Sequence, residues 1–108
     1  MKLAATIIAF ALSAQAAPKK YRVTAYCDKD RITYGNTIPR ERHTIAAPRY
    51  IPIGTRVRVT IPGLFTNRVY RVEDRTHKRL KHTWDIFNPD CKACKNFGVR
   101  TGLVEILR

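Results

Sequence analysis

Acidic residues are scarce in this chain: Asp and Glu fill 8 of 108 positions against 21 for Lys and Arg, a formal charge of +13. The cations are spread along the whole length rather than confined to a tail, so the charge describes the folded surface, which must attract polyanions or an anionic surface. Long apolar runs are also missing. No segment approaches the roughly 20 residues of a membrane span, which leaves no place for a membrane-crossing helix. Cysteine is present only three times, at Cys27, Cys91 and Cys94, so at most one internal disulfide forms and one thiol is left over. Cys91-Lys92-Ala93-Cys94 has the C-x-x-C spacing. With neither a second such pair nor the strand-helix context of a redox motif, it does not indicate a zinc or redox site. What is there is a chain of single-domain length with an ordinary 44% hydrophobic content, enough for one packed globule.

Residues 1–16 are expected to be a secretory signal peptide. Lys2 is the only charge before Lys19, Leu3 to Leu12 is apolar apart from Thr6, and Ala14-Gln15-Ala16 offers an A-x-A cleavage site. No Cys follows that site, so a lipid anchor is not indicated. Cleavage after Ala16 removes one cation, leaving 92 residues (17–108) of charge +12. Export places the cysteines in an oxidising compartment. A structural disulfide between Cys27 and either Cys91 or Cys94 is then expected, a useful staple for so small a core.

Beyond the signal segment, apolar and polar residues alternate over Lys20–Cys27, predicting a half-buried strand. Residues 28–42 are rich in charge and turn formers and predict a long surface loop. Thr44–Ala47 predicts a short strand stopped by Pro48. Val57, Val59 and Ile61 share one face of a strand over Arg56–Ile61, which Pro62-Gly63 ends. Arg68–Asp74 and Trp84–Phe87 predict two further strands flanking a basic loop, Arg75 to His82. Asn88-Pro89-Asp90 predicts a helix start with Asn88 as N-cap, and Gly98 its stop, giving a helix over 89–97. Val99–Leu107 supplies a last strand. Six strands and one helix without repeats suggest a small closed or nearly closed barrel.

Several motifs, in order, resemble the bacterial three-aspartate domain. Val23-Thr24-Ala25-Tyr26-Cys27 is similar to its first strand, and Ile45-Ala46-Ala47-Pro48-Arg49-Tyr50-Ile51-Pro52-Ile53-Gly54-Thr55 to its middle motif. Val72-Glu73-Asp74 and Trp84-Asp85-Ile86-Phe87 resemble its second and third aspartate strands, and Asn96-Phe97-Gly98-Val99-Arg100 the segment before its last strand. The same domain forms the catalytic barrel of membrane-bound lytic transglycosylase A and is related to rare lipoprotein A, expansin and barwin domains. The resemblance implies a mainly β fold, a six-stranded double-psi β-barrel with one short helix over 17–108, that binds or cleaves peptidoglycan or another β-linked glycan. It departs from the pattern at Ala47, where the first aspartate falls, and at Arg75-Thr76-His77-Lys78, which replaces a small Gly-rich stretch.

By that resemblance Asp85 is the catalytic acid and later the base, with Asp74 beside it to orient substrate or to raise its pKa by like charge. Tyr26 and Thr24 on the first strand, with Arg75 and Lys78 in the basic loop, are the candidate substrate-binding residues; the loop from Arg75 to Lys81 suits the lactyl or peptide carboxylates of peptidoglycan. The structural alternative pairs Asp85 with Arg75 or Arg79, and a +12 surface is expected to lower a carboxyl pKa rather than raise it. His43, His77 and His82 have no ligand spacing and are expected to be loop or surface residues. Tyr34, Tyr50, Tyr70 and Trp84 suit either packing or sugar stacking. Neither cofactor nor metal is implied. The expected partner is peptidoglycan or another anionic wall glycan, engaged by a monomer in the periplasm or outside the cell. Nucleic acid is disfavoured, since the chain is exported and carries no nucleic-acid motif. The competing function is a non-catalytic, expansin-like wall-binding barrel.

Overall fold

The computed structural model describes residues 17–107; the segment read as a signal peptide, 1–16, lies outside them. Six strands are present: β1 (Lys19–Tyr26), β2 (Thr44–Ala47), β3 (Arg56–Ile61), β4 (Phe65–Arg75), β5 (Thr83–Phe87) and β6 (Arg100–Leu107). One helix, α1 (Cys91–Phe97), lies between β5 and β6. The strands close into a barrel in the order β1-β5-β2-β4-β3-β6. β1/β5 and β2/β4 run parallel. The other four neighbours are antiparallel. This is the mainly β, six-stranded closed barrel with one short helix that the patterning predicts.

Alternation explains the inside of the barrel. Val57 and Val59 on β3 are 0% exposed and Ile61 is 1% exposed, while Arg58 and Thr60 between them stay partly open. Trp84, Ile45, Val72 and Val23 complete the centre, each fully buried. β2 is buried along its whole length because it is paired on both edges. Where β6 crosses β1, the barrel leaves room only for hydrogen. A Cβ on Gly102 would stand 2.6 Å from Ile61 Cδ1 and 2.9 Å from Val23 Cγ2. Gly102→Ala is expected to destabilise the domain by about 1–3 kcal/mol through overpacking, read as a lower urea midpoint with an unchanged slope.

β1, β5 and β6 differ from expectation by no more than a single residue at either end, and two elements differ by more. β4 is longer than Arg68–Asp74 at both ends. Its start passes through an irregular register at the polar Thr66-Asn67, where the Asn67 N–H donates to Thr60 Oγ1 at 2.9 Å; no apolar alternation marks such a stretch. The helix begins at Cys91, not 89, and its N-cap is Asp90, whose Oδ1 accepts from the Lys92 N–H at 3.0 Å and the Ala93 N–H at 3.2 Å. Asn88 does not cap the helix. It is tied to the end of β1, its N–H donating to the Tyr26 carbonyl at 2.9 Å, and its own Oδ1 accepts from the Asp90 N–H. Gly98, at φ 63°, stops the helix as expected.

The disulfide joins Cys27 to Cys91, tethering the exit of β1 to the first turn of α1. Cys94 stays a thiol and donates to the Asn88 carbonyl at 3.3 Å. Burial, then the negative charges of Asp85 and Asp90, push its pKa up, the opposite of a thiol primed to react. Among the described residues no helix is long and apolar enough to cross a membrane.

Candidate active site

Asp74 is the last residue but one of β4 and Asp85 sits mid-way along β5, separated in the barrel by β2. Residues directly paired across strands share a face, and β2 pairs Ile45 with Val72 but Ala46 with Asp74, a register shift that passes over Glu73. A bulge of this kind re-aims the side chain that follows it. In the same strand Ala46 is also opposite Asp85. The bulge therefore sets Asp74, Ala46 and Asp85 side by side on one face, and all three line one groove of about 620 Å³. Ala47, where the resembled family has its first aspartate, points into the hydrophobic core at 0% exposure and does not line the groove. The methyl facing the two carboxyls is that of Ala46.

Glu73, the residue passed over, is buried in a separate cluster. It accepts from Thr44 Oγ1 at 2.7 Å and from the Arg71 guanidinium at 3.1 Å, with His43 Nε2 at 3.4 Å. Burial works to raise its pKa, but the Thr44 hydrogen bond, His43 and Arg71 together outweigh it and hold the pKa down.

Asp74 is 7% exposed and well supplied with donors. The Tyr34 and Arg75 backbone N–H groups donate to its Oδ1 at 3.0 and 2.9 Å, and the Tyr26 hydroxyl to Oδ2 at 3.2 Å. Arg31 stands 3.9 Å away. The loop over 28–42 is thus folded onto the carboxylate, an approach held by the Gly35 N–H to Glu73 carbonyl bond of 2.8 Å. Gly35 is required there, since a Cβ would stand 2.9 Å from that carbonyl oxygen.

Asp85 is held differently. One partner, the Thr24 hydroxyl, donates to its Oδ1 at 2.9 Å, and among the described residues no cation pairs with it. Burial raises its pKa; the Thr24 donor pulls the other way, and the negative charge of Asp74 pushes it further up, to about 6. The expectation that a +12 surface would lower this pKa is overturned. The cations of the basic loop are in water, where their field is screened, whereas the carboxyl loses its own hydration directly. Thr24→Val is therefore expected to raise the Asp85 pKa by about one further unit, because a donor to the charged form is lost; a pH titration of the carboxyl carbon by NMR reads it.

Of the other anticipated residues, Tyr26 lines the groove, packed edge-on against Phe87 at 5.5 Å. Burial, then the Asp74 charge, raise its pKa, so it remains a neutral hydrogen-bond donor. Thr24 reaches Asp85 rather than the groove. Arg75 lines the groove without presenting its charge to Asp85: the guanidinium donates to the Ile51 and Pro48 carbonyls and lies 5.3 Å from the Tyr34 ring centre. Lys78 is exposed and not part of the groove wall. His77 lies on the wall and accepts from the Arg79 N–H at 3.1 Å.

Arg31, Arg49 and Ile32 also line the groove, and sequence reasoning did not single them out. They come from segments without periodicity, so only the fold brings them in. Tyr34, 65% exposed at the rim with Arg75 beneath it, is the best-placed flat surface for a sugar ring. Among the described residues no three His, Cys, Asp or Glu side chains gather as a metal site.

The chemistry open to this arrangement is acid–base. One carboxyl has been shifted towards neutrality, a second accepts several hydrogen bonds, and both face the same groove. No family model and no curated protein matches the chain. Solved structures do match. Two crystal structures of MltA from Escherichia coli, one described as revealing a unique lytic transglycosylase fold, superpose with TM-scores of 0.60 and 0.61 at 18% identity. An apo form of an E. coli lytic transglycosylase MltA variant gives 0.61, also at 18%. Each match covers 72% of this chain and 27% of the other. The chain therefore spans about a quarter of the length of these proteins, and at this identity what it shares with them is the barrel fold.

Proposed function

We propose that this domain cleaves glycosidic bonds of peptidoglycan in the manner of a lytic transglycosylase, with Asp85 as the acid and then the base. The observation that carries the reading is a half-buried carboxyl with a pKa near 6 opening on the same groove as a second, hydrogen-bonded carboxylate. At pH 6 such a group is half protonated, and at pH 7 about a tenth of it still carries the proton. The protonated Asp85 donates to the glycosidic oxygen as the C1–O bond breaks and positive charge develops on the sugar. The Asp74 charge lies on the same face to stabilise it. Asp85, now a carboxylate, takes the proton of the muramyl 6-hydroxyl as that oxygen bonds to C1. The product ends in a 1,6-anhydro ring, and the proton is back on Asp85. Tyr26 holds Asp74, and Tyr34 offers a ring to the glycan.

The shared fold with MltA, a lytic transglycosylase, supports this reading, and the Cys27–Cys91 disulfide supports an extracytoplasmic setting. Digesting purified sacculi with the protein and analysing the soluble fraction by mass spectrometry tests it: muropeptides with anhydro ends are expected, and none from wild-type protein would reject it.

The wall-binding alternative draws on one observation. The position of the resembled family's first aspartate is held by Ala47, which is buried and outside the groove, so the groove has two carboxyls where that pattern has three. It predicts retention on sacculi without release of soluble fragments.

A further inference from the structure

A second concavity, of about 430 Å³, lies where the start of β1 meets the loop between β4 and β5. Four cations line it, Lys20 and Arg22 from β1 with Arg79 and Lys81 from the loop, and no carboxylate does. Among the described residues none of the four is in an ion pair. In water these charges repel one another weakly, and together they attract an anion.

The loop's charged ends are exposed, but its backbone is held. Its start is held by the Thr76 N–H on the Ala47 carbonyl at 3.0 Å and its end by the Arg22 N–H on the His82 carbonyl at 3.2 Å. Its turn closes through the Leu80 N–H to His77 carbonyl bond of 2.7 Å, and the buried Thr76 hydroxyl donates to the Leu80 carbonyl. So constrained a backbone fixes where Arg79 and Lys81 are rooted, which removes the loop's share of the ordering cost of binding. Leu80 lines both this pocket and the groove of Asp74 and Asp85, so the two are contiguous.

We propose that this pocket is the subsite for the carboxylates of the stem peptides, so that the domain selects peptide-bearing glycan over bare glycan. The inference rests on the glycosidase reading of the adjacent groove. It moves the anion-binding role from Arg75 and Lys78, the former engaged with carbonyls and the latter outside the groove, to Lys20, Arg22, Arg79 and Lys81. A nucleic acid fits the pocket less well. Single strands are held by exposed aromatic platforms, and the one aromatic ring here, Tyr21, is packed edge-on against the buried Trp84.

Binding of two ligands to the Asp85→Asn protein, which holds substrate without turning it over, tests the assignment. One is a glycan strand carrying its peptides; the other is the same strand stripped by an amidase. The peptide-bearing strand is expected to bind about tenfold more tightly at low salt. Arg79→Ala/Lys81→Ala, and separately Lys20→Ala on β1, should remove or reduce that advantage while leaving the stripped strand unchanged, and raising the salt to about 0.3 M should do the same. Equal affinity for the two strands, or weakening of both alike by the variants, overturns the subsite and leaves the groove assignment standing. Failure to bind either strand rejects the glycan reading itself. Single-stranded DNA binding as tightly as the peptide-bearing strand, and losing affinity in the same variants, overturns the subsite in favour of a nucleic-acid occupant.

Discussion

Asp85→Asn is expected to lower release of anhydro-muropeptides from sacculi by roughly 10²- to 10⁴-fold, the range of a general acid–base group, while making the protein more stable at neutral pH. Both effects have one origin. The carboxyl of Asp85 has a folded-state pKa of about 6 against an ordinary value of 3.8, raised mainly by burial. A group whose pKa is raised on folding favours the folded state when protonated. That contribution is whole below the unfolded pKa and is lost as pH climbs through the folded one. Relative to wild type, the asparagine variant, which does not ionise, should therefore gain stability between about pH 4 and pH 7, approaching 3 kcal/mol at the upper end. Its side-chain oxygen keeps the Thr24 donor at 2.9 Å, so the local geometry is preserved. Urea unfolding of both proteins at pH 4 and pH 7.5 measures the difference. A pH-independent difference would mean that Asp85 is an ordinary solvated carboxylate; unchanged release of muropeptides would remove it from the reaction.

The second large effect concerns the covalent tether. Cys27 and Cys91 close a loop across 64 positions, for which chain-entropy arguments give about 4 kcal/mol. For a domain near the lower end of globular size, where total stability is about 5–10 kcal/mol, that is a large share of the whole. Cys27→Ser/Cys91→Ser is expected to lose this amount by urea unfolding, placing the variant at the margin of folding at 37 °C. Removing both partners avoids a new pairing of Cys27 with Cys94. Cys94→Ser, which leaves the bridge intact, should change stability by less than about 1 kcal/mol. The disulfide holds the end of β1, the strand that carries Thr24 and Tyr26 to the two carboxyls. Loss of the bridge should therefore reduce activity before it unfolds the chain. Equal stability of the double variant and the wild type would show that the barrel closes without the staple.

Much of the barrel is written locally. Val57, Val59 and Ile61 announce a strand with one buried face, Pro48 stops β2 and Gly98 stops the helix, because these signals depend on neighbours a few residues away. The helix start was displaced because Asn88 and Asp90 both satisfy the chemistry of an N-cap; the tie from Asn88 to Tyr26 decides between them. The choice of Cys91 over Cys94 as partner of Cys27 is of the same kind. Both lie on one short helix, and only its docking against β1 distinguishes them.

The site divides along the same line. By its own composition the sequence established a strongly basic chain with alternating strands, and its motifs marked Asp74 and Asp85 as the carboxyls to watch. It did not determine which face Asp74 occupies, since the segments Ile45-Ala46-Ala47 and Val72-Glu73-Asp74 read alike with the bulge or without it. Nor did it determine the sign of the Asp85 shift. Net charge argued for a low pKa, yet dehydration by the closed barrel acts at contact range and screened surface charge does not, so the pKa rises. The same closure brings Lys20 and Arg22 beside Arg79 and Lys81, residues some sixty positions apart in the chain, and Tyr34 onto Asp74 from 40 positions away. Contacts that distant depend on strand order and register, which are properties of the closed sheet as a whole.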